Sequence, residues 1–172
     1  MLDDHPSKAD AYEVKASDPK LISEAELATC IAIIEAGEAV NPELAKGELP
    51  LARVLVIARS GGDIVGVGAI KRARPTYAAG RAKKSGFAFD KDTLELGYVA
   101  VCCKHRKRGL SKQIVAELLA KYNGRLFATT DHDGMKKTLG GSGFVKKGKE
   151  WEGERGQLSL WIREGSPLPK PA

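Results

Sequence analysis

The sequence predicts an α/β (α+β) architecture, a mixed and mostly antiparallel sheet of about six to seven strands flanked by about four helices. Two observations carry this expectation. Short β-rich runs outnumber helical stretches along the chain and are separated by glycine-containing turns. Between Leu94 and Thr130 a strand, a strongly amphipathic helix and a second strand follow one another. Such a crossover makes its two strands parallel.

Each element has its own local reason. Tyr12 to Ala16 reads as a short first strand. Ser23 with Glu26 forms a capping box, after which Leu27, Ile31 and Ile34 share a helical face and Gly37 stops the helix. Asn41-Pro42-Glu43 opens a second short helix, with Asn as cap and Pro in the first turn. Arg53 to Arg59 and Ile64 to Ile70 are strands joined by Gly61-Gly62-Asp63, a hairpin. A long basic connection, Ala73 to Asp92, leads to the strand Leu94 to Val101. Leu110, Ile114, Val115, Leu118, Leu119 and Tyr122 then fall at helical spacing, and Asn123-Gly124 ends that helix. Leu126 to Thr130 is a strand, and Asp133 caps a short helix through Leu139. Gly143 to Lys147 and Gln157 to Ile162 supply the last two strands.

A chain of 172 residues suits one domain, read as residues 11–164, with a flexible start (1–10) and a flexible tail (165–172). Hydrophobic and charged fractions of 42% and 29% exclude wholesale disorder. The polar, acidic opening is unlike a signal peptide, and no apolar run approaches the roughly 18 residues of a membrane span. A cytoplasmic protein with no membrane partner is expected. Three cysteines, Cys30 alone and Cys102-Cys103 adjacent, make no disulfide framework and are expected to be buried thiols. With three histidines and no spaced ligand pair, no metal site is expected. The net charge of +6 fits either a nucleic-acid partner or a polyphosphate cofactor.

The position of the charge separates these readings. Lys104-His105-Arg106-Lys107-Arg108-Gly109 lies between an apolar strand and the start of the strongest helix. Charge runs are ordinarily solvated faces. At a helix start, free N–H groups and the helix dipole favour an anion instead. Gly109 lets a phosphate approach the backbone, Ser111 adds a hydroxyl, and Arg106 and Arg108 offer charge-assisted hydrogen bonds. Neither a Walker A loop nor Gly-x-Gly-x-x-Gly is present.

Leu94 to Ser111, with its Val99-Ala100-Val101 strand end and Arg106-x-x-Gly109-x-Ser111 loop, resembles motif A of the GCN5-related N-acetyltransferases (GNAT). Thr129-Thr130-Asp131-His132-Asp133 through Gly143-Phe144, then Glu150-Trp151, resembles the family's motif B. The resemblance implies a single-domain acyl-CoA N-acyltransferase fold in which the central parallel strands splay. It further implies acetyl-coenzyme A as cofactor and an amine on a small molecule or peptide as acceptor, acylated by direct attack in a ternary complex. Val99, Ala100 and Val101 would bind the pantetheine arm and stabilise the oxyanion. Arg106, Lys107, Arg108, Gly109, Leu110 and Ser111 would wrap the pyrophosphate.

Glu95 fits the family's base position, and Tyr98 is a second candidate in the same strand; a structural ion pair and a half-buried strand tyrosine are their plain readings. The family's proton-donating tyrosine aligns with Leu139, and its asparagine with His132, which would contact the cofactor or cap a turn. The basic stretch from Arg72 through Arg74, Tyr77, Arg81 and Lys83 to Lys84 lines the acceptor site, binds ribose phosphate, contacts RNA, or is simply solvated. Acylation of aminoacyl-tRNA or a ribosomal protein, and a nonenzymatic basic nucleic-acid-binding module, are the competing functions. A homodimer accords with the family.

Overall fold

The structure, a computed structural model, describes residues 11–37 and 41–165. The flexible ends expected for 1–10 and beyond residue 165 lie outside the described residues. The elements are β1 (Tyr12–Ser17), α1 (Glu24–Gly37), α2 (Pro42–Glu48), β2 (Val54–Ser60), β3 (Asp63–Lys71) and α3 (Pro75–Ser85), followed by β4 (Leu94–Val101), α4 (Leu110–Lys121), β5 (Leu126–Thr130), α5 (Asp133–Gly141), β6 (Val145–Glu152) and β7 (Gln157–Arg163). The strands form one sheet in the order β1-β2-β3-β4-β5-β7-β6. β4 and β5 are parallel, pairing Leu94 with Leu126 and Glu95 with Phe127, as the crossover requires. β1 with β2, and β7 with both β5 and β6, are antiparallel.

The element without a sequence counterpart is α3. It occupies the connection that sequence patterning left without regular structure. Pro75 stands in its first turn, and Gly86 ends it in the left-handed conformation, φ +73°.

Two compact units divide the chain. The first takes residues through Ala69 together with Tyr98–Lys121. Here Ser23 and Glu26 exchange hydrogen bonds of 3.1 Å and cap α1 as expected. Asn41 accepts from the Glu43 N–H and caps α2. The α1 residues Cys30, Ile33 and Ile34 pack with Leu49, Leu55, Ile57, Val67, Ala69 and Ala100. Burial pushes the Cys30 thiol up to about 11, so it stays protonated and inert at neutral pH. The other two cysteines do not follow: Cys102 is half-buried and Cys103 exposed, because they leave β4 for a short 3-10 turn instead of entering a core.

α4 buries Leu110, Ile114, Val115 and Leu118. It lies close to β3 because Gly66 and Gly68 have no side chains. A Cβ on Gly68 would stand 2.5 Å from Ile114 Cγ2 and 3.1 Å from Leu118 Cδ1. Gly68→Ala should therefore cost about 1–3 kcal/mol through overpacking, read as a lowered urea midpoint; an unchanged midpoint would show that α4 shifts freely.

The second unit takes Ile70–Gly97 and the residues from Tyr122 onward. Its core joins Ala73, Ala78, Phe127, Trp151, Leu160 and Ile162. α3 approaches β6 so closely that a Cβ on Gly148 would collide with the Ser85 carbonyl. The cap of α5 is His132, not Asp133: its Nδ1 accepts from the Met135 N–H at 3.2 Å, and Asp133 becomes the first helical residue. β6 ends the sheet order, with a register shift between Lys147 and Trp151. Among the described residues no helix is long and apolar enough to cross a membrane.

Candidate functional site

In the first unit, β4 delivers its buried end Val99-Ala100-Val101 to the basic loop. Tyr98 takes φ +55° in the middle of the strand, a left-handed conformation that costs a non-glycine residue about 1–2 kcal/mol. Strain of this kind persists where the surroundings over-determine it. One such constraint is visible: the Tyr98 hydroxyl donates to Glu48 Oε2 at 2.6 Å.

The loop beyond is pinned at both ends. Arg106 donates from Nε to the Val101 carbonyl at 3.0 Å, tying the loop to the strand it leaves. Lys107 and Gly109 both take positive φ, +64° and +74°. They turn the chain into α4, whose first bond runs from Gln113 N–H to the Gly109 carbonyl. The N–H groups of Leu110, Ser111 and Lys112 thereby belong to the first helical turn, where no intrahelical partner exists. Lys107, Arg108 and Gly109 are exposed, while Leu110 is buried and anchors the helix start. Tyr12 of β1 steadies the same loop: its hydroxyl meets His105 Nδ1 at 2.9 Å and accepts from Arg108 Nη1 at 3.3 Å.

In the second unit, Glu95 is 5% exposed and pairs with Lys71 of β3, Oε1 to Nζ 2.7 Å. Beside them is Gly97, where a Cβ would stand 3.6 Å from both the Glu95 carboxyl carbon and Lys71 Cε. Tyr77 of α3 is held by its hydroxyl to Thr129 Oγ1, 3.1 Å. Burial first, and then the Glu95 charge, push the Tyr77 phenol above its ordinary range. Arg81 stacks on the Tyr77 ring.

The predicted residues thus fall into two groups. Val99 to Val101 and Arg106 to Ser111 lie along one strand-to-helix passage, which ends at the free N–H groups of the first turn of α4. Glu95 lies three residues before Tyr98 on the same strand, inside its ion pair. His132 is engaged as the α5 cap. Leu139, aligned with the family's acid, is fully buried. Sequence reasoning missed Lys71, Glu48 and Tyr12. Lys71 did leave a signal. It shares strand parity with the buried Val67 and Ala69, and a lysine in such a place needs a buried partner.

The sequence profile of the Acetyltransferase (GNAT) family matches residues 25–138. The chain belongs to the GNAT acetyltransferase family. No curated protein matches it in sequence. Several solved structures share its GNAT fold. Salmonella typhimurium yncA, solved with its cofactor acetyl-CoA, has a TM-score of 0.65 at 14% identity, covering 94% of this chain and 98% of its own. A GNAT family acetyltransferase from Elizabethkingia anophelis with acetyl-CoA bound gives 0.57 at 14%, covering 89% and 97%. The ribosomal-protein-S18-alanine N-acetyltransferase from Escherichia coli gives 0.64 at 10%, covering 93% and 99%.

Proposed function

We propose that this GNAT protein is an N-acetyltransferase that moves an acetyl group from acetyl-coenzyme A to a primary amine of a small molecule or peptide, in a ternary complex. The observation that supports this most is the cradle at the start of α4. Its residues suit a pyrophosphate: positive φ at Lys107 and Gly109 curls the loop, and no atom lies within 4 Å of where a Gly109 Cβ would stand. Phosphate oxygens can therefore reach backbone N–H groups, with Lys107 and Arg108 exposed beside them. Ser111 adds its hydroxyl, and the backbone of Val99 to Val101 holds the pantetheine arm.

Bound acetyl-coenzyme A supplies the acetyl group as a thioester. In the transfer one C–N bond replaces one C–S bond. An ammonium acceptor gives up two protons, one ending on the thiol and one released. Glu95 is the candidate to take the first of these. Tyr98, whose hydroxyl donates to Glu48, is the second candidate on the same strand. Leu139 has no proton to give, so solvent reprotonates the leaving thiolate.

Calorimetric titration with coenzyme A and thiol release in an amine-library screen test the reading; a protein that binds no coenzyme A is not this enzyme. Glu95→Gln should lower turnover about 10²-fold or more near neutral pH and less at high pH, where the acceptor is already a free amine. If the pH profile keeps its shape and only stability drops, Glu95 serves as the structural partner of Lys71.

A further inference from the structure

Arg81 is a half-buried cation without a counter-charge. Among the described residues no carboxylate lies within ion-pair distance of it. Glu95, the acid on this side of Tyr77, is paired with Lys71. The Arg81 guanidinium instead covers the Tyr77 ring, 4.4 Å from its centroid, and stands 5.8 Å from the Trp151 ring. Its Nε is shielded from solvent and has no acceptor. The same holds for the indole Nε1 of Trp151, a side chain only 9% exposed.

Two buried N–H donors within one aromatic cluster, one of them on a charged group, leave that cluster short of an acceptor and of one negative charge. The Lys71–Glu95 pair is already neutral, so the deficit stays with Arg81. Tyr77 links the two centres: Glu95 and Arg81 act on its phenol with opposite sign, and Thr129 fixes its hydroxyl. An acceptor that brings its own carboxylate supplies the charge that Arg81 lacks, and its amine is the group that acetyl transfer requires.

We propose that Arg81 and Trp151 form a subsite for the carboxylate of the acyl acceptor, which makes the acceptor a zwitterionic amine of the amino-acid type. The assignment of its amine to Glu95 rests on the acetyl-transfer reading above. One carboxylate carries the single charge that Arg81 lacks, and its two oxygens suit two N–H donors on different side chains. A phosphate dianion would leave a second charge uncompensated.

The test reads the subsite without turnover. Acetate is titrated into the ¹⁵N-labelled protein, and the two indole N–H signals are followed. Trp161 is the internal control, since its Nε1 already donates to Ser159 Oγ at 2.8 Å. The Trp151 signal should move saturably, the Trp161 signal should not, and Arg81→Gln should abolish the Trp151 shift. A Trp151 indole indifferent to acetate overturns the proposal, and the wild-type measurement suffices for that even if the variant folds poorly.

The second arm compares alanine with ethylamine as acceptors. The ratio of their kcat/KM values should favour alanine and fall about 10- to 100-fold in Arg81→Gln; a ratio the variant leaves unchanged also overturns it. Binding of acetate without binding of coenzyme A would sink acetyl transfer and keep the anion subsite. Coenzyme A binding with no response in either arm would do the opposite.

Discussion

Gly109→Glu should weaken coenzyme A binding by about 100-fold or more, equivalent to about 2.7 kcal/mol, while leaving a folded protein. Three effects act together. A side chain at φ +74° is strained by about 1–2 kcal/mol. The added carboxylate stands among the free N–H groups of the α4 start, where it competes with phosphate and repels it. The space a phosphate needs against the backbone is filled. Folding survives because that space is open in the protein itself, with no atom within 4 Å to be displaced. Gly109→Ala carries the strain without the charge and should lose much less affinity. Calorimetry on both variants separates the effects; undiminished binding by Gly109→Glu would remove this loop from the cofactor site.

Lys71→Met should destabilise the fold by about 3–5 kcal/mol, the usual consequence of leaving one member of a buried ion pair behind. The side chains of Lys71 and Glu95 are only 10% and 7% exposed, so water does little to rescue the abandoned carboxylate. Replacing both at once, Lys71→Met with Glu95→Leu, should recover most of the loss, because an apolar pair of similar volume needs no counter-charge. Urea denaturation of the single and double variants measures this. A single-variant loss below about 1 kcal/mol, the range of exposed pairs, would mean the pair is solvated and free to exchange partners.

What was legible in the sequence was whatever local chemistry decides. The Ser23–Glu26 box spans three residues, and its bonds form within one turn. The Gly61-Gly62 hairpin follows from two residues that accept positive φ. The Leu94–Thr130 crossover follows from a handful of apolar positions at helical spacing. The strand-to-helix loop was readable because a strand, a basic run, a glycine and a helix are consecutive in the chain.

What escaped depends on contacts distant in sequence. α3 has a weak apolar pattern, an internal Gly80 and five basic residues in and around it. It exists because Ala78 and Ser85 are buried and Gly148 admits it against β6. The Lys71–Glu95 pair joins two strands whose register only the folded sheet determines. The left-handed turn at Tyr98 falls on a residue type that avoids it, so no propensity could announce it. His132 took the cap from Asp133 because an unprotonated ring nitrogen accepts as an oxygen does, though His is seldom chosen for it.

The outer strand β6 has a consequence for the protein in the company of its own copies. An edge strand offers a row of unsatisfied backbone groups to any passing chain. Here that row carries Lys146, Lys147 and Lys149, turns through Gly148 at φ +70°, and loses its register before Trp151. A second β6 approaching it would find no straight template to extend. The sheet is therefore guarded against growing from chain to chain at this edge, despite Val145 standing 55% exposed there. Two copies that associate have to meet through some other surface.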